Sequence, residues 1–146
     1  MILIALLLVP LAAALLSWLA RERSSMEKIN LAGFAATFVL ALALGGQMLA
    51  GGAVSVWNGF LYADHLSALV ILLTASVALV CAVYAVGYLR EDERNGTLAG
   101  EDPGAAISKL RKYYTLTPLF VCSMLLVTLA NNLGVMWVAV EATTLA

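Results

Sequence analysis

Residues 65–89 read HLSALVILLTASVALVCAVYAVGYL, a run without Lys, Arg, Asp or Glu. As an α-helix it would be about 37 Å long and would exceed the roughly 30 Å hydrocarbon core of a bilayer. Asp64 precedes the run directly. Its carboxylate can accept hydrogen bonds from the free amides of the first turn and can interact favourably with the helix dipole. The run therefore predicts a transmembrane helix capped by Asp64.

Four more apolar segments lie on either side of this run. We predict helices at residues 1–20, 29–49, 65–89, 113–130 and 133–146. Hydrophobic residues make up 63% of the chain and charged residues only 12%, against roughly 25% in soluble domains. The first segment is followed, not preceded, by positive charge, which favours a retained helix over a signal peptide. The predicted fold is an all-α bundle of transmembrane helices, four complete and a fifth begun, forming one membrane domain.

The charges are segregated along the chain. All eight Lys and Arg residues fall within residues 21–28 and 90–112, whereas the other two connections contain none. By the positive-inside rule these two loops are cytoplasmic, and the N-terminus is outside the cell. We expect residues 90–112 to form an exposed, mobile loop. The pattern predicts a multi-pass membrane protein, surrounded by lipid, without a basic patch for nucleic acid.

Two further patterns concern packing and the membrane surface. The uncharged segment 50–63 is rich in Gly and aromatic residues, which suits turns at a membrane–water boundary. On the second helix, Ala32 and Ala36, and likewise Ala41 and Gly45, are spaced by four residues. Each pair predicts a face that permits close helix contact, with Ala-rich filler as the alternative interpretation.

Metal-ligating residues are sparse. The two cysteines, Cys81 and Cys122, stand singly in apolar runs, and His65 is the only histidine. We therefore expect no disulfide framework, no metal site and no cofactor within this chain. Both thiols are predicted to be small core residues.

Glu141 is the only charged residue from Leu116 to the end of the sequence. It follows the polar pair Asn131 and Asn132, which reads as a turn at a membrane surface. A helix that begins there carries Glu141 about 13 Å into a bilayer, near its midplane. Ionisable groups at that depth are costly and mark ion or proton pathways. Glu141 is therefore the candidate site residue.

Three interpretations of Glu141 remain open on the sequence. The first is a proton or ion relay. The second is a protonated structural glutamate that is hydrogen-bonded between helices, and the third is a surface residue whose predicted helix bounds are wrong. Small residues on its helical face permit close approach of another helix, and Thr144 can offer a hydroxyl to the carboxyl. The positions that share this face are Gly134, Trp137, Val138, Thr144 and Leu145.

A relay carboxyl must gain and lose a proton within each cycle. Removal from water favours the neutral form of a carboxyl, and a nearby cation favours the charged form, so a moving cationic partner would switch it. The apolar segments contain no Lys or Arg that could be that partner. After Glu141 the apolar run has no Lys, Arg or aromatic residue that could anchor the end of a helix at the membrane surface. We therefore expect this chain to be the N-terminal part of a longer subunit.

The stretch 131–145, NNLGVMWVAVEATTL, resembles the fifth-helix motif of the antiporter-like membrane subunits. Such subunits occur in respiratory complex I, membrane-bound hydrogenases and multisubunit cation/proton antiporters. The sequence around Glu141 most resembles that of hydrogenase-4 component F. Residues 62–67, YADHLS, together with 84–90, are similar to the third-helix stretch of these subunits, and 112–126 are similar to their fourth helix.

The resemblance implies a proton-translocating subunit without redox centres, in which Glu141 is the membrane glutamate of the family. It implies no cofactor and no catalytic centre in this chain. The partners would be other membrane and hydrophilic subunits of a hydrogenase or complex I-like assembly. An Mrp-type cation/proton antiporter subunit is the nearest alternative, and a structural or assembly segment is the other.

Overall fold

The computed structural model describes residues 1–20, 22–94 and 103–146. Within these ranges the chain forms five α-helices and one short two-stranded hairpin, which confirms the predicted all-α bundle. The elements in chain order are α1 (Ile2–Leu19), α2 (Arg23–Gly51), β1 (Val54–Val56), β2 (Leu61–Ala63), α3 (His65–Arg94), α4 (Pro103–Leu129) and α5 (Leu133–Leu145).

Four of the helices are long and apolar enough to cross a membrane, which makes the chain a multi-pass membrane protein. Their apolar segments are Ile2–Leu19, Arg23–Gly51, His65–Glu91 and Ile107–Leu129, while α5 is shorter. In the bundle, α1 packs against both α2 and α4, α2 also packs against α3, and α5 packs against α4. The core lies where α1 to α4 meet.

Three helix ends differ from the sequence prediction. Helix α2 begins at Arg23 instead of residue 29, α3 continues to Arg94, and α4 begins at Pro103 instead of residue 113. Hydropathy identifies only the membrane-embedded part of a helix, and Arg, Glu and Lys are good helix formers that extend it into water. The prediction of a loop over residues 90–112 is therefore wrong at its two flanks, which are helical. The centre of that predicted loop, residues 95–102, lies outside the described residues.

The segment between α2 and α3, predicted as turns, contains the hairpin. Strands β1 and β2 pair antiparallel, with Ser55 opposite Tyr62. The chain reverses through Trp57, Asn58 and Gly59, which all have positive φ. Trp57 and Tyr62 are exposed, as expected for residues at a membrane–water boundary.

Helices α1 and α2 approach each other closely at Gly33, which the predicted small-residue pairs did not include. A Cβ added to Gly33 would lie 2.7 Å from the Cβ of Ala13, which is too close for unaltered packing. Ala32 and Ala36 are exposed instead, so that pair makes no close contact within the described bundle. Spacing by four defines a face, but several faces of an apolar helix satisfy it, and tertiary packing selects one.

The two cysteines differ in environment. Cys122 is half-buried on α4, and its Sγ donates to the carbonyl oxygen of Leu7 on α1 at 3.4 Å. Cys81 on α3 is exposed, so the prediction that it is a core residue is wrong. A helix that is apolar on all sides carries no polar stripe to show which side faces lipid.

Candidate functional site

The turn before α5 is held by hydrogen bonds to the hairpin. Asn131 donates from its side-chain Nδ2 to the carbonyl oxygen of Gly59 at 2.8 Å, and from its backbone amide to that of Phe60 at 3.2 Å. Asn132 then caps α5, because its Oδ1 accepts from the backbone amide of Gly134 at 2.8 Å. The predicted polar turn is confirmed, and these two side chains determine where α5 begins.

Glu141 lies within α5, nine residues beyond Asn132 and therefore about 13 Å along the helix axis. The observed helix, Leu133–Leu145, agrees with the predicted range 133–146 within one residue at its end. A misplaced helix boundary is therefore not the reason for the position of Glu141.

The side chain of Glu141 is exposed and lies on the side of α5 that faces away from the other helices. Trp137 and Val138, on the same face, are 69% and 67% exposed, and Leu145 is 85% exposed. Ala139, on the opposite face, is completely buried. Within the described part of the chain, the face that carries Glu141 is thus left without a helical neighbour.

The hydroxyl of Thr144 does not reach the carboxyl of Glu141. It donates instead to the backbone carbonyl oxygen of Glu141 at 2.7 Å, and Thr143 likewise donates to that of Val140 at 2.6 Å. Serine and threonine in helices commonly bond to the carbonyl of a preceding turn, and this local acceptor is closer than the carboxyl. The Thr144 hydroxyl, which the sequence analysis named as a possible donor to the carboxyl, therefore bonds to the backbone instead.

A second carboxylate, Glu27, forms a site that the sequence analysis missed. Glu27 lies in the first turns of α2 and is only 6% exposed. Its Oε1 accepts from Nε of Arg23 at 2.8 Å, and its Oε2 accepts from Nη2 of Arg90 at 2.7 Å. Each carboxylate oxygen thus has its own guanidinium, and the second bond joins α2 to α3.

A buried amide continues this polar cluster toward α4. Asn30, one turn after Glu27, donates from Nδ2 to the backbone carbonyl oxygen of Tyr114 at 2.7 Å. Tyr114 is itself buried and packs with Met26 and Leu110. These bonds fix α2, α3 and α4 to one another at one end of the bundle. We call it the cationic end and define it by Arg23, Lys28, Arg90, Lys109, Arg111 and Lys112.

One signal in the sequence would have identified half of the Glu27 site. Arg23 and Glu27 are four residues apart, so they become neighbours as soon as both lie on one helix. The prediction started α2 at residue 29 and so placed both in a loop. Arg90 lies 63 residues further along the chain, and only the packing of α3 against α2 brings it to Glu27.

At the opposite end of the bundle, Asp64 has the predicted capping role. Its Oδ1 accepts from the backbone amide of Ser67 at 2.7 Å. This bond, followed by one from the Ser67 side chain, holds the pKa of Asp64 below its ordinary value of 3.8. The hydrogen bonds of Asp64 are therefore local to the first turn of α3.

Comparison with known families finds a similarity in the hairpin and α3. Residues 56–96 match the family model described as NADH-ubiquinone oxidoreductase (complex I), chain 5 N-terminus. The matched stretch is a little over a quarter of the chain and ends well before Glu141. No curated protein matches the chain. The match supports a resemblance to proton antiporter-like membrane subunits, and its description names the complex I branch, not the hydrogenases.

Proposed function

We propose that this chain belongs to a proton-translocating membrane subunit of a redox-driven complex, of the hydrogenase-4 or NADH-quinone oxidoreductase type. In this proposal Glu141 takes up and releases the transported proton. The observation that carries the proposal is the placement of Glu141, a carboxyl about 13 Å inside an apolar helix and on its unoccupied face. The family match over residues 56–96 supports the class of protein.

The surroundings of Glu141 suit a carboxyl that exchanges protons with a neighbouring helix. Gly134 and Thr144 are the small residues on its face, and the Thr144 hydroxyl is already occupied by a backbone oxygen. The carboxyl oxygens therefore have no side-chain donor among residues 1–20, 22–94 and 103–146. A cationic group on another helix of the assembly would favour the charged carboxylate when near and the neutral acid when distant.

The cationic end supports a proposal for the orientation in the membrane. We infer that this end faces the cytoplasm and that the N-terminus and the hairpin lie outside, in an inner membrane. Single cysteines at Lys28 and Asn58, in a background without Cys81 and Cys122, test this with an impermeant thiol reagent on intact cells. Labelling at Asn58 alone is expected, and labelling at Lys28 alone would reverse the orientation.

The decisive experiment replaces Glu141 by Gln in the full complex and measures proton translocation in vesicles matched for subunit content. The amide keeps the shape and hydrogen-bonding capacity of the acid but cannot exchange a proton, so assembly should persist while translocation falls strongly. Glu141→Asp should give an intermediate rate, since the acid is retained and its reach is shortened by one methylene.

Asp64→Asn is the matched control for this experiment. It makes the same carboxyl-to-amide change outside the membrane-spanning helices, and the Asn side chain can still cap α3. Translocation should be unchanged in this variant. Wild-type translocation by an assembled Glu141→Gln complex would show that Glu141 has a structural role and would defeat the proposal.

A further inference from the structure

The turn of the hairpin has a strained backbone. Trp57 and Asn58 have φ values of 55° and 54°, and Gly59 has a φ of 88°. Residues other than glycine rarely adopt a positive φ, and a bulky residue such as tryptophan keeps it only where surrounding contacts hold the backbone. The turn 57–59 therefore depends on the groups that bind it.

Asn131, at the start of α5, binds this turn with two hydrogen bonds. Its side-chain Nδ2 donates to the carbonyl oxygen of Gly59 at 2.8 Å, and its backbone amide donates to that of Phe60 at 3.2 Å. Inside the hairpin, the amide of Phe60 donates to the carbonyl oxygen of Trp57 at 3.1 Å. The turn thus presents two consecutive carbonyl oxygens to a single asparagine.

The hairpin is itself anchored in the core of the bundle. Leu61 and Ala63 of β2 are buried and belong to the hydrophobic cluster that α1 to α4 form. Leu61 also forms a β-bridge with Ala130, the residue before Asn131. The hairpin is therefore held by the bundle on one side and bound to the start of α5 on the other.

Helix α5 is packed shallowly, so its direction depends on the turn from which it starts. It packs against α4, and among the described residues of α5 only Ala139 is buried. Glu141 lies about 13 Å along the helix, so a tilt of about 10° at the turn would move it by roughly 2 Å. Displacing a reacting group by about 1 Å can cost about 100-fold in rate.

We propose that Asn131 is a positioning residue for Glu141 and that the hairpin sets the direction of α5. Asn131 does not touch the transported proton. It binds the turn 57–59, which the core holds in place through β2, and thereby fixes the angle at which α5 enters the membrane. The inference rests on the proposed role of Glu141 and adds the hairpin to the parts of the protein on which that role depends.

The experiment measures the position of α5 with a fluorine label. Trifluoromethyl-phenylalanine is introduced in place of Trp137, which lies on the face of Glu141 and one turn before it. Its fluorine NMR resonance is recorded in the full subunit in lipid vesicles. The same label in place of the exposed Tyr84 on α3 is the reference.

Two variants break the contact from opposite sides. Asn131→Ala removes the side-chain donor, and Gly59→Ala disturbs its acceptor, because alanine is strained at a φ of 88°. Asn58→Gly is the matched control in the same turn, since glycine adopts a positive φ readily.

Asn131→Ala and Gly59→Ala should each shift the resonance at Trp137, and the reference at Tyr84 should not move. In the full complex, matched for subunit content, proton translocation should fall roughly tenfold, within the cost of about 100-fold that a displacement of about 1 Å can cause. Asn58→Gly should change neither measurement.

An unaltered Trp137 resonance in both variants would overturn the inference. Equal shifts at Trp137 and Tyr84 would also overturn it, because they would indicate a general loss of packing. So would wild-type translocation by the Asn131→Ala complex when Glu141→Gln blocks translocation. The proposed function fails separately: wild-type translocation by Glu141→Gln would defeat it, while a shifted Trp137 resonance would still show that Asn131 positions α5.

Discussion

Helices α2 and α5 each carry a glutamate, Glu27 and Glu141, yet the two side chains are built into the protein differently. Eight residues of α2 are buried, and they include Glu27, Asn30 and Thr37. In α5 only Ala139 is buried, and the face with Glu141 is open. Glu27 is bound by two guanidinium groups, whereas the Glu141 carboxyl accepts no side-chain hydrogen bond from the described residues.

The difference teaches that the role of a carboxylate on a transmembrane helix depends on the groups that surround it. Glu27 is held by charges of its own chain, so its bonds join α2 to α3 and it has no open side for a mobile partner. The Glu141 side chain has an open side, so the charge state of its carboxyl depends on the groups that pack against α5. These surroundings indicate a structural role for Glu27 and support the proposed proton-transfer role of Glu141.

The largest effect on stability is expected at Glu27. Glu27→Gln should lower the free energy of unfolding by about 2–3 kcal/mol, because the amide leaves two guanidinium groups without their counter-charge. This value lies below the roughly 3–5 kcal/mol typical of a broken buried pair, since Arg90 is largely exposed. Denaturation in mild detergent measures it. Glu141→Gln is the comparison and should stay within about 0.5 kcal/mol of the wild type.

Equal destabilisation by the two Gln variants would remove the distinction between the two carboxylates. A Glu27→Gln protein that keeps its stability would mean that the two ion pairs contribute little to holding α2 and α3 together.

The second prediction concerns the packing of α2 itself. Gly33→Ala should cost about 1–3 kcal/mol of unfolding free energy, because the new methyl group would lie 2.7 Å from the Cβ of Ala13 and force α1 and α2 apart. Gly46→Ala, in the same helix, meets nothing within 4 Å and should be neutral or stabilising. The same detergent denaturation compares them, and equal stabilities of the two variants would contradict the close approach at Gly33.

The smallest effect is expected at Asp64, a third carboxyl that is bound only by its own helix. Its pKa is lowered in the folded protein, so its contribution is complete above the unfolded value of 3.8 and is lost as the pH falls through the lower folded value. The stability difference between wild type and Asp64→Asn should therefore shrink below pH 3.8. Unfolding midpoints measured from neutral to acidic pH test this, and a difference that grows on acidification would refute it.

The predictions from the sequence agree best with the structure where a single residue or a single apolar run determines the local structure. The turn at Asn131 and Asn132, the cap at Asp64 and the bounds of α5 were all predicted correctly. Each depends on contacts within a few residues, or on a change from polar to apolar sequence. The hairpin was missed because its strands are three residues each and are stabilised by the neighbouring turn before α5.

The amino-acid sequence by itself determined that this chain forms apolar helices, that all its Lys and Arg lie in two stretches, and that Glu141 stands alone in an apolar run. Composition and local spacing are sufficient for these properties, because burial in a membrane demands long uncharged helices. Only the tertiary structure decided that Arg90 meets Glu27, that Gly33 touches Ala13, and that Glu141 faces outward. An apolar helix offers many equivalent faces, and the choice among them depends on how all the helices pack together.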